Sequence, residues 1–325
     1  MIDEPQIDAY GKDALKEYQE KRVEWLKLLN DDANAIQKQI RAMILNDASF
    51  RVFNEAINLE INPDDSSAKN PLLSFFIKQG YIHVQAFAVC KLVEEQPNNT
   101  DVSKGVASLP RLFKDLRKHH YLLTRENYVL HDGLPYAYEA VEQQMPDWQR
   151  VGSGDSSCYG ASHPVPASDK SRDRHEQFDK LSGVRPENRL PTDRISESVF
   201  DTLDKWIKES KDKTKGISTI RNKFLAHAAD SVSRAKGGFY SVSMNKIEET
   251  HRAVVRIAKA ISFIIIPEVD YDIMAPYYNE LENLNLPYVD AKILPVLRQK
   301  WDGYTKERND WSNNVVDELV IKPTE

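Results

Sequence analysis

An all-α fold is what this sequence predicts, and two observations predict it. Glycine is scarce, 12 of 325 residues, and long charged segments carry apolar residues at three- and four-residue spacing. With 41% hydrophobic side chains the chain can bury a sizeable core, as one large domain or two small ones, which excludes disorder as the main state and a disulfide-stapled miniprotein. Forty-four Lys and Arg against 50 Asp and Glu leave a net charge of −6, too acidic for a protein coated in basic surface to wrap duplex DNA. Any nucleic acid must find a local basic patch.

Along residues 8–29, Leu15, Tyr18, Val23, Leu26 and Leu29 line one side of a helix. Residues 33–61 continue with Ile36, Ile40, Met43, Ile44, Phe50 and Phe53, with a joint at Asn30-Asp31-Asp32. After the turn cluster at 62–67, Pro71 sits where a first helical turn accepts proline. The helix that follows, to about residue 95, is apolar nearly all round (Leu73, Phe76, Ile77, Ile82, Val84, Phe87, Val89, Leu92) and is expected at the centre of the core. Another helix spans about 109–123. Hydrophobic residues then thin out from Pro146 to Pro191, and residues 151–175 hold three Gly, six Ser and two Pro, which reads as an inserted loop. Helical periodicity returns over 195–210, 217–229 and 247–266. In the last of these Ile247, Val254, Ile257, Ile261 and Ile264 recur at heptad-like spacing until Pro267 stops it. The last sixty residues suggest a short helix plus an extended arm strapped over the bundle.

Arg221-Asn222-Lys223-Phe224-Leu225-Ala226-His227 is the most informative segment. Arginine, a polar residue and a histidine six positions on, placed before a long apolar helix, resembles the motif of the HEPN superfamily, which includes metal-independent ribonucleases of phage defence and toxin–antitoxin systems. The likeness is nearest to the abortive-infection branch, for which Ser108-Leu109-Pro110-Arg111-Leu112-Phe113 also fits, and it covers about residues 35–266. It implies an up-and-down helical bundle, here with an extra N-terminal helix, a long polar insertion and a C-terminal extension. The expected organisation is N-terminal bundle helices over 1–145, the polar loop over 146–191, motif-bearing bundle helices over 192–267 and the extension over 268–325. It also implies RNA as substrate, a homodimer and an antitoxin protein as a possible partner.

The chemistry suits those side chains. Cleaving RNA without a metal or other cofactor needs a base for the 2′-hydroxyl proton and a cation for the phosphorane; imidazole is poised near neutral pH and guanidinium binds phosphate bidentately. His227 is therefore the candidate base or acid and Arg221 the phosphate clamp. Asn222 would orient either group, and Lys223, one turn before His227, would lower the imidazole pKa and touch the RNA backbone. Residues 203–223 carry seven basic side chains against three acidic ones, a candidate phosphate track that includes Lys213 and Lys215. In a continuous helix Arg221 and His227 would lie roughly 120° and about 9 Å apart. Either the helix ends near His227, or two copies of the motif meet at a two-fold axis, as the resemblance implies.

Rival readings stand beside this one. The main alternative is a non-catalytic helical module, binding RNA or acting as the regulatory partner in a toxin–antitoxin pair, with the insertion and the aromatic tail as docking surfaces. Arg125 and His131 repeat the Arg-to-His spacing, yet Glu126 follows the arginine and a turn follows the histidine, so they read as an ion-paired helix end. His119 and His120, with Arg111, Lys114, Arg117 and Lys118, form a candidate accessory RNA face. Cys158, His163 and His175 lack any CxxC or HExxH spacing, and no metal site is expected. The acidic N-terminus without an apolar stretch, the absence of a run near the roughly 20 residues a bilayer needs, and only two cysteines point to a soluble cytoplasmic protein without a membrane partner.

Overall fold

The computed structural model describes residues 9–59, 71–95, 106–140, 166–222, 243–267, 273–274, 281–282 and 290–319. Among them no strand forms; Thr124 and Arg194 meet in an isolated antiparallel bridge. The helices are α1 (Ala9–Leu26), α2 (Ile36–Leu59), α3 (Pro71–Val93), α4 (Leu109–Lys118), α5 (Arg125–Leu130), α6 (Ala167–Ser182), α7 (Glu197–Ile220), α8 (Met244–Ile265), α9 (Leu294–Asp310) and α10 (Val315–Leu319). Helices α2, α3, α7 and α8 pack on one another as the bundle, and α9 lies against α2. No helix among the described residues is long and apolar enough to cross a membrane.

The joint after α1 falls where the sequence puts it. Helix α1 widens into a π-helical turn, Lys27–Asp31, and Asp32, which accepts from the Asn34 N–H, closes it before α2 begins. Tyr18, Trp25 and Leu29 are buried, whereas Val23, counted from spacing on the apolar side, faces solvent. In α2 the buried residues Ile36, Ile40, Met43, Ile44 and Val52 recur one helical turn apart. In α8, Ile247, Val254, Ile257, Ile261 and Ile264 are all buried, and the helix stops just before Pro267.

Helix α3 packs against α2, α4, α7 and α8, as its expected central place requires, but it is not buried all round: Tyr81, Gln85, Val89 and Leu92 are among its buried residues. Phe76, 73% exposed, shares the open side with Val84 and Phe87, while Phe75 is exposed near the start of the helix and Ile82 lines a cleft with Phe50, Tyr81 and Met244. All-round apolarity shows that a helix shuns water, but not on which sides it has neighbours.

The reading of 146–191 as one polar loop is corrected in its second half; residues 141–165 lie outside the described ones. Helix α6 buries Phe178 and Leu181, and its polar residues are buried because each has a distant partner. Arg174 makes a bidentate pair with Asp132, the Ser171 hydroxyl donates to the Pro135 carbonyl, and the His175 ring bonds the Tyr136 carbonyl. Gly183, in the left-handed conformation at φ 73°, ends the helix.

Residues 195–210 and 217–229, read as two helices, are bridged by a continuous α7. The Ser210 and Thr214 hydroxyls donate back to the Ile207 and Ser210 carbonyls and are buried inside the helix surface, so the polar stretch between the two apolar runs costs the helix little. The C-terminal arm is more helical than expected. Leu297 and Trp301 of α9 are buried, and α10 follows after Asn314, a non-glycine residue at φ 60°.

Candidate functional site

Helix α7 carries the described part of the motif. Its last α-helical residue is Ile220; Arg221 caps it, its N–H bonded to the Ile217 and Ser218 carbonyls, and Arg221 and Asn222 continue in a wider π-type turn. Asn222 Oδ1 accepts from Arg221 Nε at 2.9 Å, and Arg221 Nη1 faces Glu94. The side chain of Arg221 is 24% exposed. His227 and Lys223 lie outside the described residues.

Arg221 lines an open groove of 240 Å³ between the C-terminal ends of α3 and α7, together with Cys90, Glu94, Glu95, Lys211 and Ser218. Arg221 Nη1 stands 3.9 Å from Glu94 Oε2, and Lys211 Nζ is in close contact with Glu95 Oε1. The Lys211 ammonium holds the Glu95 carboxyl below the usual carboxylate range. Cys90 Sγ lies 3.5 Å from Ser218 Oγ, and burial raises its thiol pKa, which makes it a packing group rather than a nucleophile.

The segment that opens α4 meets the end of α3 at Glu94: the Ser108 hydroxyl, itself buried, donates to the Glu94 carbonyl at 2.7 Å, and within the segment Arg111 donates to the Val106 carbonyl. Neither glutamate was singled out from the sequence. A signal was available: two acidic residues at a helix C-terminus oppose the helix dipole.

The basic run on α7 divides. Lys208, Lys211 and Lys215 follow one another at three and four residues and share a face that leads to Ser218 and Asn222. Lys208 pairs with Asp204, and Lys215 is exposed. Lys213, about 200° around the helix from Lys211, lines a separate 470 Å³ cleft with Trp206, Arg252 and Arg256 beside α9 and α10. There the Arg256 guanidinium lies over the Trp206 ring at 3.7 Å and pairs with Glu318.

The second Arg-to-His spacing is structural. Arg125 is fully buried and pairs with Asp179 at 2.7 Å and Asp193 at 3.0 Å. Burial, with Arg22 and Arg174 nearby, pushes His131 down to about 4. His119 and His120 bond the Asp115 and Ile195 carbonyls and Arg117 pairs with Asp201, while Lys114, Arg117 and Lys118 of the expected accessory face are exposed. Among the described residues no three His, Cys, Asp or Glu side chains are placed to hold a metal; Cys158 and His163 lie outside them.

A family model described as AbiU2, of the HEPN class, matches residues 29–283, from the π-helical turn to a point short of α9. No curated protein and no solved structure matches the chain.

Proposed function

This chain belongs to the HEPN AbiU2 family, an abortive-infection family, and from that premise we propose that it is a metal-independent endoribonuclease of phage defence or of a toxin–antitoxin pair. The observation that carries the reading is the placement of Arg221. It stands just past the last α-helical residue, its Nε held by Asn222 and its terminal nitrogens lining an open groove. That edge of a guanidinium matches two phosphate oxygens.

On this reading Arg221 binds the scissile phosphate and His227 takes the proton of the adjacent ribose 2′-hydroxyl. The 2′-oxygen attacks phosphorus, the bond from phosphorus to the 5′-oxygen breaks, and that oxygen leaves with a proton supplied by a second imidazole. The products are a 2′,3′-cyclic phosphate and a 5′-hydroxyl. A homodimer with two motifs at its two-fold axis supplies the second histidine. Supporting the dimer is the open side of α3, where Phe76, Val84 and Phe87 present apolar surface to solvent. Lys223 and Lys215 would hold the strand near the motif, and Lys213 would join them if the strand wraps around α7.

The same α3 face favours a second reading, a non-catalytic module that docks an antitoxin or another protein through it. One experiment separates the two. Purified protein is incubated with labelled total RNA in EDTA. Cleavage that persists in chelator and disappears in both Arg221→Ala and His227→Ala is the expected result, and equal activity in the variants sinks the nuclease.

A further inference from the structure

Two cations on α7, Arg221 and Lys211, each face a carboxylate from the end of α3, Glu94 and Glu95, across the same groove. The pairs are half-exposed and the Arg221 pair is long at 3.9 Å, so they are weak and exchangeable. The carboxylates nevertheless stand at an electrostatically unfavourable place. They oppose the dipole of α3, and the buried Ser108 hydroxyl fixes the Glu94 backbone at 2.7 Å. Ten residues separate Lys211 from Arg221, about 15 Å of helix axis, or about four steps at 3.4 Å per nucleotide of one strand. A single phosphate reaching Arg221 leaves Lys211 paired and two carboxylates facing it. A strand that spans both cations releases both pairs together.

We propose that Glu94 and Glu95 stand in for phosphate, holding Arg221 and Lys211 until phosphates about four nucleotides apart on one oligonucleotide strand displace them. The groove thereby takes an oligonucleotide and rejects inorganic phosphate. This rests on the reading of Arg221 as a phosphate clamp, and it makes the glutamates positioning and selectivity residues rather than catalytic ones.

The test is binding without cleavage. A labelled 2′-O-methyl RNA of about twelve nucleotides, whose attacking hydroxyl is blocked, is titrated into wild type, Glu94→Gln, the Glu94→Gln/Glu95→Gln pair, and that pair combined with Arg221→Ala; inorganic phosphate is the competitor. The paired variant is expected to bind about tenfold tighter than wild type, the scale of removing like charges a few ångströms from a bound phosphate. It is also expected to become sensitive to inorganic phosphate and to lose the gain when Arg221 is removed. Binding that is unchanged or weaker in a variant that melts like wild type overturns the proposal, and Glu94→Gln alone decides if the pair melts early. If RNA is cleaved with Arg221 dependence but the glutamine variants gain nothing, this proposal falls and the nuclease stands. If the gain is found but no RNA is cleaved, the nuclease falls and the stand-in carboxylates remain.

Discussion

Arg308 of α9 donates from Nη2 to Asp47 Oδ2 of α2 at 2.9 Å, with both side chains fully buried, and so ties the C-terminal helices to the bundle. Asp47 also accepts from Arg51 and from the Tyr81 hydroxyl, and Arg51 reaches Glu248 on α8. The tie is notable because α9 lies beyond residues 29–283, the stretch the family model matches. Removing Arg308 leaves the buried Asp47 carboxylate with Arg51 and Tyr81 as its remaining partners. Arg308→Ala is expected to destabilise the protein by about 3 kcal/mol. In an Asp47→Asn background the same change should cost markedly less, since no buried carboxylate then loses a charged partner. Urea unfolding of the four proteins gives the coupling; equal costs in both backgrounds would show that Arg308 acts through packing alone.

Acid should weaken the fold through its buried imidazoles. His251 sits beside Asp47 and is held down to about 4, first by burial and then by Arg308 and Arg51, against the opposing pull of Asp47 and Glu248. Gln85, whose amide donates to the Met43 carbonyl, turns its oxygen to accept from His251 Nε2, which suits the neutral ring. His131 is likewise held down to about 4. Both folded values lie below the ordinary 6.5, so between pH 6.5 and 4 the unfolded chain binds more protons and stability falls as pH falls. Asp132, held to about 2 chiefly by its bond from Arg174, adds a second loss below the ordinary carboxylate range. Denaturation midpoints at pH 7, 6 and 5 should decline, and His251→Gln should flatten the decline. A midpoint unchanged between pH 7 and 5 would contradict this.

The open face of α3 predicts association. Phe76 and Val84 lie on the solvent side of the helix, away from Tyr81, Gln85 and Val89. Phe76→Glu and Val84→Glu should therefore leave the unfolding free energy of the isolated chain within about 0.5 kcal/mol of wild type, yet convert a dimer to a monomer in sedimentation equilibrium. If the nuclease needs two motifs, cleavage should fall with the dimer and recover at high protein concentration. A wild-type chain that sediments as a monomer removes the dimer from the proposal.

Which parts of this architecture could be read from the chain follows from where the stabilising partner of each residue lies. In α8 the isoleucine spacing is itself the burial pattern, because neighbours one turn apart on a single helix decide which side faces inward. In α6 it is not. Arg174, His175 and Ser171 look like solvated residues until Asp132 and the Tyr136 and Pro135 carbonyls arrive from some forty positions away. The site divides in the same way. Arg221 and Asn222 announce themselves as adjacent residues in a motif, whereas Glu94 meets Arg221 across 127 positions and only its unfavourable place at a helix C-terminus hints at a purpose.

Salt dependence should tell which face of α7 the strand follows. Each Lys or Arg that neutralises a phosphate of a single strand contributes about 0.7 to the slope of log affinity against log salt. Lys215 shares its face with Lys211 and leads toward Asn222, whereas Lys213 lines the cleft with Trp206 and Arg256 on another side of the helix. For a strand lying in the Arg221 groove, Lys215→Ala should lower the slope by about 0.7 and Lys213→Ala should leave it unchanged. A loss with both variants would mean that the strand wraps around α7 and engages the Trp206 cleft as well. A loss with neither would place the bound RNA away from this helix, and with it away from Arg221.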